Sequence, residues 1–260
     1  MSITMLQSTK KVFRKAMTST LRDLTQSDLQ SQSEAIVAKI LALPAFKSCK
    51  TISCYLSMPT AEAQTTALIL RILADGGMIT SLIIIYTVYW GIFNAGKKLF
   101  VPSLTSNNGH MDFVRLYNEE DFRTLPAGLW GIPEPTVEWE KNKRQNVLDS
   151  SCEGLDLILL PGQQVSCQVY LHEVEGELMP GSGVAFDRSR SRLGHGKGYY
   201  DRFLSSYKGG ANKEFEVALS LQQQLLDAGQ VPVSEYDWKM DMIITPDDII
   251  TPECGHSEGV

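Results

Sequence analysis

The residues best equipped for chemistry lie in GVAFDRSRSRLGHGKGYYDRF, residues 183–203. Gly194, Gly196 and Gly198 alternate with His195 and Lys197, and Arg192 stands just before them. Residues without a Cβ let backbone N–H groups approach phosphate oxygens, and a helix starting near Tyr199 would add the positive end of its dipole. Arg192, His195 and Lys197 then supply charge, so the pattern suits an anion site. It fits neither standard phosphate fingerprint: GxxxxGK[ST] is absent, and Tyr199 takes the third glycine's place in GxGxxG. A basic surface loop is the alternative on spacing alone. Asp201 falls in the first turn of the following helix. Its carboxylate could hold the Mg²⁺ that accompanies a nucleotide, or simply complement the helix dipole.

Two further features stand outside that segment. Lys10, Lys11, Arg14 and Lys15 make a basic face on an N-terminal helix, with positions 10 and 14 one turn apart; a solvated charged face reads the same way. The run LPAGLWGIPEP, residues 125–135, holds three prolines that resist helix and central strand, so it reads as an ordered surface loop presenting Trp130, or as a loop folded onto its own core.

The elements that must position these groups alternate in type. Apolar Val12, Phe13, Met17 and Leu21 predict a helix over 9–24, and a second helix follows over 28–41 with Ser27 as its cap. Strands are expected over 51–57, 98–102, 111–117, 156–161, 216–221 and 242–245, with a helix over 65–74. Short strands set between helices imply an α/β three-layer sandwich with a mostly parallel sheet, whose ligand belongs at the carboxyl ends of the strands.

Composition narrows the class. A 260-residue chain with 43% hydrophobic and 21% charged residues is neither disordered nor a disulfide miniprotein. Its five cysteines form no CxxC pair and no zinc-ligand spacing, which reads as reduced and intracellular. A net charge of −6 gives no footprint for nucleic acid, so any anionic ligand must be captured locally. The N-terminus lacks a secretory h-region; cytoplasmic location is expected, and its basic, Ser/Thr-rich start is also compatible with a mitochondrial presequence.

Taken together, KKVFR, YLSMPTAEAQTT, LPAGLWGIPEP, DLILLPG, GVAFDRSRSRLGHGKGYYDRF and VPVSEYDWKMD resemble the 5-formyltetrahydrofolate cyclo-ligase (5,10-methenyltetrahydrofolate synthetase) family over about residues 10–245. The resemblance implies a fold of the NagB/RpiA/CoA-transferase type and an enzyme that uses ATP and Mg²⁺ to close 5-formyltetrahydrofolate to 5,10-methenyltetrahydrofolate. It implies that Lys10, Lys11 and Arg14 reach ATP, and that Arg192, Leu193, Gly194, His195, Gly196, Lys197, Gly198, Tyr199 and Tyr200 wrap the triphosphate. Lys197, His195 and Arg192 would be catalytic. Leu56, Glu62, Trp130, His195 and Tyr199 would contact the folate, with or without a polyglutamate tail, and Asp201 and Asp237 would bind magnesium. A monomer is expected. The competing reading is a noncatalytic relative or mis-spliced isoform of the same fold that binds a metabolite or RNA without turnover.

Two stretches depart from the family pattern within what reads as a single domain over 1–260: the uncharged, apolar residues 77–95 and residues 162–182. The run 76–96 just reaches membrane-spanning length, but a span there would separate neighbouring strands of a single sheet, so no membrane is expected. The in-frame junctions beside glycine read as retained introns. The second stretch falls at a strand's carboxyl end, where it either bulges outward or fills the ligand cleft.

Overall fold

The computed structural model describes residues 3–74, 96–103, 111–128, 131–162, 185–194, 199–207, 214–234 and 237–252. Three helices open the chain: α1 (Ile3–Arg22), α2 (Gln26–Ala42) and α3 (Pro44–Ser48). The Thr25 Oγ1 accepts the Asp28 N–H at 3.1 Å while Asp28 reaches back to the Thr25 N–H. That reciprocal capping box starts α2 ahead of the expected Ser27. Leu29, Ser33, Ile36 and Ile40 then form one buried face at helical spacing. On α1, Met17 and Leu21 are buried as expected, whereas Val12 is 65% exposed and lies off that face.

The strands follow as β1 (Thr51–Cys54), β2 (Lys98–Ser103), β3 (Asp112–Leu116), β4 (Glu138–Trp139), β5 (Asn142–Lys143), β6 (Leu157–Pro161), β7 (Ala185–Asp187), β8 (Arg192–Leu193), β9 (Phe215–Leu219), β10 (Leu225–Leu226), β11 (Met242–Ile244) and β12 (Ile249–Ile250). The remaining helices are α4 (Thr66–Ala74), α5 (Glu119–Arg123) and α6 (Tyr199–Ser206). Seven strands form one sheet in the order β12-β11-β9-β6-β1-β2-β3. Its five inner strands run parallel, and β3 and β12 close the edges antiparallel. The expectation of a mostly parallel α/β sheet holds. The short sheet β10-β7-β8 and the hairpin β4-β5 leave no mark in the sequence, because two-residue strands carry no readable period.

Burial on both faces explains the unbroken apolar run LILLP of β6, and β1 is equally buried although Thr51 and Ser53 alternate with its apolar residues. Alternate residues serve opposite faces. Leu157 and Leu159 join a core with residues of α1, α2 and α4, while Ile158 and Leu160 join a second core with Tyr200, Phe203 and Leu204 of α6. Phe203 seats α6 on the sheet, with its ring 4.5 Å from Phe113 and 4.9 Å from Tyr207 between centroids.

The connection from β1 runs through α4 to β2 on one side, whereas β6 pairs on the other side of β1 and leads away toward β9 and β11. The topological switch point therefore lies between β1 and β6, and their carboxyl ends open the crevice in which such folds bind ligands. Residues 77–95 and 163–182 lie outside the described residues. Gly162 at the end of β6 is buried, and its carbonyl accepts the Gln224 side-chain amide. Among the described residues no helix is long and apolar enough to cross a membrane.

Candidate active site

Two contrasting clusters gather at this crevice. The first is charged. On α1, Lys10 Nζ lies 2.6 Å from Asp237 Oδ2, and one turn on, Arg14 Nε donates to the Gly194 carbonyl at 2.7 Å. Asp237 Oδ2 also accepts the Ser234 N–H at 2.5 Å. Burial pushes the Asp237 carboxyl up, but the Lys10 ammonium and the Ser234 N–H outweigh it and hold the group below its ordinary value. Burial lowers the Arg14 guanidinium while the Asp237 charge pulls it back up. Three segments far apart in sequence thus meet: α1, the strand leading into the glycine-rich loop, and residues 231–240.

The second cluster is dry. After β1 the chain turns through residues 55–65 in a loop closed by its own hydrogen bonds. The Tyr55 hydroxyl donates to the Ala63 carbonyl at 2.7 Å, the Thr65 hydroxyl to the Tyr55 carbonyl at 2.8 Å, and the Gln64 amide to the Met58 carbonyl at 2.7 Å. Ala61 takes a left-handed φ of 67°, a conformation that side chains rarely adopt and that this network holds in place. The turn delivers Glu62 inward to 2% exposure, where it accepts the Met58 N–H. Burial drives the Glu62 carboxyl well above its usual range, with the Met58 N–H opposing. Its charge is felt by the Tyr200 phenol, which burial first and Glu62 second push far up, while Arg192 pulls it down. The Arg192 guanidinium carbon sits 5.9 Å from the Tyr200 ring centroid, so one aromatic ring spans the gap between the two clusters.

The structure brings together Lys10, Arg14, Gly194 and Asp237 in the charged cluster, and Glu62, Tyr200 and Arg192 in and beside the dry one. Leu56 is buried at the same β1 exit, whereas Lys11 is exposed. Leu193 is wholly within the core, which leaves only its backbone to face a ligand. Trp130, His195, Gly196, Lys197 and Gly198 lie outside the described residues. Tyr199 and Asp201 open α6, in the expected first turn, and no side-chain description applies to either. Gly131 beside Trp130 comes against Pro59: a Cβ placed on it would lie 3.4 Å from the Pro59 Cγ, so the 125–135 loop borders the Glu62 turn.

Sequence reasoning missed the buried pair that fixes this loop. Arg144 donates to both Asp121 oxygens, at 2.6 and 2.5 Å, and to the Thr136 carbonyl at 2.8 Å. Asp121 sits in α5 just before the loop and Thr136 just after it, so one guanidinium ties both of its ends. No local signal marks the pair, because its members are far apart in sequence.

The donor set fits a nucleotide better than a protein-caged metal. Magnesium takes one or two carboxylates and completes its shell with phosphate and water, which suits an ionised Asp237 beside Lys10 and Arg14. Among the described residues no group of three or more His, Cys, Asp or Glu side chains could hold an ion alone.

Comparison with known proteins identifies the family and the fold. Residues 6–81 and 163–246 match the 5-formyltetrahydrofolate cyclo-ligase family. A probable 5-formyltetrahydrofolate cyclo-ligase of Schizosaccharomyces pombe is 30% identical over 247 residues, covering 93% of this chain and 97% of that protein. The mitochondrial 5-formyltetrahydrofolate cyclo-ligase of Arabidopsis thaliana is 32% identical, covering 95% of this chain and 78% of that protein. The Mus musculus 5-formyltetrahydrofolate cyclo-ligase is 29% identical, covering 95% and 98%. The solution structure of Aquifex aeolicus 5,10-methenyltetrahydrofolate synthetase superposes with a TM-score of 0.63 at 23% identity and 96% coverage of both chains, which shows the shared fold.

Proposed function

The chain belongs to the 5-formyltetrahydrofolate cyclo-ligase family, and we propose that it closes 5-formyltetrahydrofolate to 5,10-methenyltetrahydrofolate with ATP as co-substrate. The formyl oxygen is a poor leaving group. Transfer of the γ-phosphoryl group to it, with ADP released, makes it a good one; nitrogen-10 then attacks the formyl carbon, and phosphate departs with the oxygen as the ring closes. The observation that carries this reading is the meeting of a basic cluster with a dry, acid-bearing slot at the switch point.

In that reading Lys10 and Arg14 neutralise the phosphates, and Arg192, with Lys197 and His195, steadies the charge on the transferring group. Asp237, with Asp201, would hold a magnesium ion, which would offset the charge of the phosphates. Gly194, Gly196 and Gly198 let the backbone close on the triphosphate, with Leu193, Tyr199 and Tyr200 flanking it. Glu62, whose charged form burial disfavours, would accept the paired N–H donors of the pterin as a carboxylate, those donors favouring its ionised form, while Leu56 and Trp130 supply apolar surface. Because Lys10 and Arg14 hold Asp237 and Gly194, the structure supports an α1 that stays with the mature protein. The proposed location is cytoplasmic, with a mitochondrial one as the alternative. Fusing residues 1–24 to a fluorescent reporter tests location.

The deciding assay follows the methenyl absorbance after mixing protein, Mg·ATP and 5-formyltetrahydrofolate. An ATP-dependent rise is expected, and none from folded protein would overturn the reading. Because β6 ends at Pro161 on the ligand side of the sheet, the stretch that follows Gly162 is where a second reading, an impaired isoform, would have its cause. Under it, deleting 77–95 and 162–182 restores turnover that the full chain lacks. Sequencing the transcript tests the retained-intron origin, which abundant mRNA encoding both stretches would refute.

A further inference from the structure

We propose that Asp187 is a positioning residue for the nucleotide half of the site, holding the two loops that flank it in register. Asp187 ends β7 at 0% exposure, and its partners among the described residues are all main-chain N–H groups. Oδ1 accepts from Ser189 at 2.9 Å and Ser191 at 3.1 Å, which folds the β7–β8 turn; Oδ2 accepts from Val231 at 3.1 Å, across the seam. One carboxylate therefore fixes both the turn that feeds Arg192 and Gly194 into the glycine-rich loop and the start of the segment that carries Ser234 and Asp237.

Other bonds along the same seam run in the same direction. The Met240 N–H donates to the Arg190 carbonyl at 3.0 Å, while Arg190 Nη1 returns a bond to the Met240 carbonyl at 2.6 Å. Ser191 and Lys239 form an antiparallel bridge. Arg190 holds a left-handed φ of 66° at the tip of the turn, a strained geometry that the seam keeps in place. Helix α1 grips the outer ends of the two segments through Gly194 and Asp237, so an error in their relative position is transmitted to both Arg14 and Lys10.

The inference rests on the proposed reading that Lys10, Gly194 and Asp237 face the triphosphate. Its test is Asp187→Asn, whose amide oxygen can keep the turn while its NH₂ faces the Val231 N–H and cannot accept from it. Binding of Mg·ADP without folate is measured by calorimetry, together with KM for each substrate and the unfolding temperature. Asp187→Asn is expected to weaken Mg·ADP binding and raise KM for Mg·ATP by about tenfold, with KM for 5-formyltetrahydrofolate within about twofold of wild type. A folded variant with unchanged nucleotide binding overturns the proposal and reduces Asp187 to a structural role. If Asp187→Asn does not fold, Arg190→Met weakens the seam from its half-buried tip by removing the Arg190 Nη1 bond to the Met240 carbonyl. A shift of about threefold in the same direction, rescued by Arg190→Lys, supports the proposal, and an unchanged nucleotide Kd overturns it. Failure of wild type to bind Mg·ADP would instead refute the functional reading beneath it.

Discussion

Glu62 and Asp237 are both carboxylates at the same crevice, and their surroundings drive them in opposite directions. Glu62 sits in a closed turn where burial dominates and its carboxyl is raised. Asp237 is also partly desolvated, but an ammonium at 2.6 Å and an N–H at 2.5 Å more than offset that cost, and its carboxyl is lowered. Residue type is therefore a poor guide to role here. A lowered carboxyl suits a permanently charged partner for cations, and a raised one in a dry slot suits hydrogen-bond recognition, where an unpaired donor or acceptor is costly.

The largest effect should come from loosening the wall of the dry half. Arg144→Leu leaves the Asp121 carboxylate buried without its cation, which costs about 3–5 kcal/mol. A fall in unfolding temperature of roughly 10 °C is expected by calorimetry. Pairing it with Asp121→Leu recovers some of that loss, since no buried charge then remains alone. Next, Glu62→Gln keeps the shape and the Met58 bond but changes the face offered to substrate. We expect kcat/KM for 5-formyltetrahydrofolate to drop on the order of 100-fold, with KM for ATP nearly unchanged.

Glu62→Gln also separates the two carboxylates by sign of pH dependence. A raised carboxyl means that the folded state binds its proton more tightly, so Glu62 costs stability increasingly as pH rises above its unfolded value of about 4.3. The variant should therefore gain a few degrees over wild type at pH 7 and nothing below about pH 4, as read by thermal melts across pH. Asp237 behaves oppositely. Its stabilising contribution is present above the unfolded value of about 3.9 and is lost as pH falls through its lower folded value, so Asp237→Asn should flatten the acid side of the melting profile.

On the charged half, Asp237→Asn or Lys10→Met should raise KM for Mg·ATP by about tenfold while leaving KM for the folate close to wild type. Comparable losses for both substrates would erase the distinction between the halves. The smallest expected effect is that of salt. Because the charged cluster is partly open to solvent, moving from about 0.1 to 0.5 M ionic strength at fixed Mg²⁺ should raise the nucleotide KM several-fold and move the monoglutamate folate KM less.

Whatever depends on near neighbours is legible in the sequence alone. The apolar face of α2, the unbroken run of β6, the start of α6 at Tyr199 and the concentration of glycine and cation over 192–198 follow from local spacing, because periodicity and backbone freedom are set within a few residues. Even there, local reading puts the α2 cap at Ser27, whereas Thr25 and Asp28 close the box. How those pieces meet is settled only by the tertiary fold. Lys10 and Asp237 stand 227 residues apart and give no local sign that they pair, nor does anything near Asp187 point to Val231 or anything near Asp121 point to Arg144. The same holds for the charge state of Glu62. A carboxyl's preference is fixed by the water and dipoles around it, and those are present only once the β1 exit, α6 and the loop at Gly131 have closed over the turn.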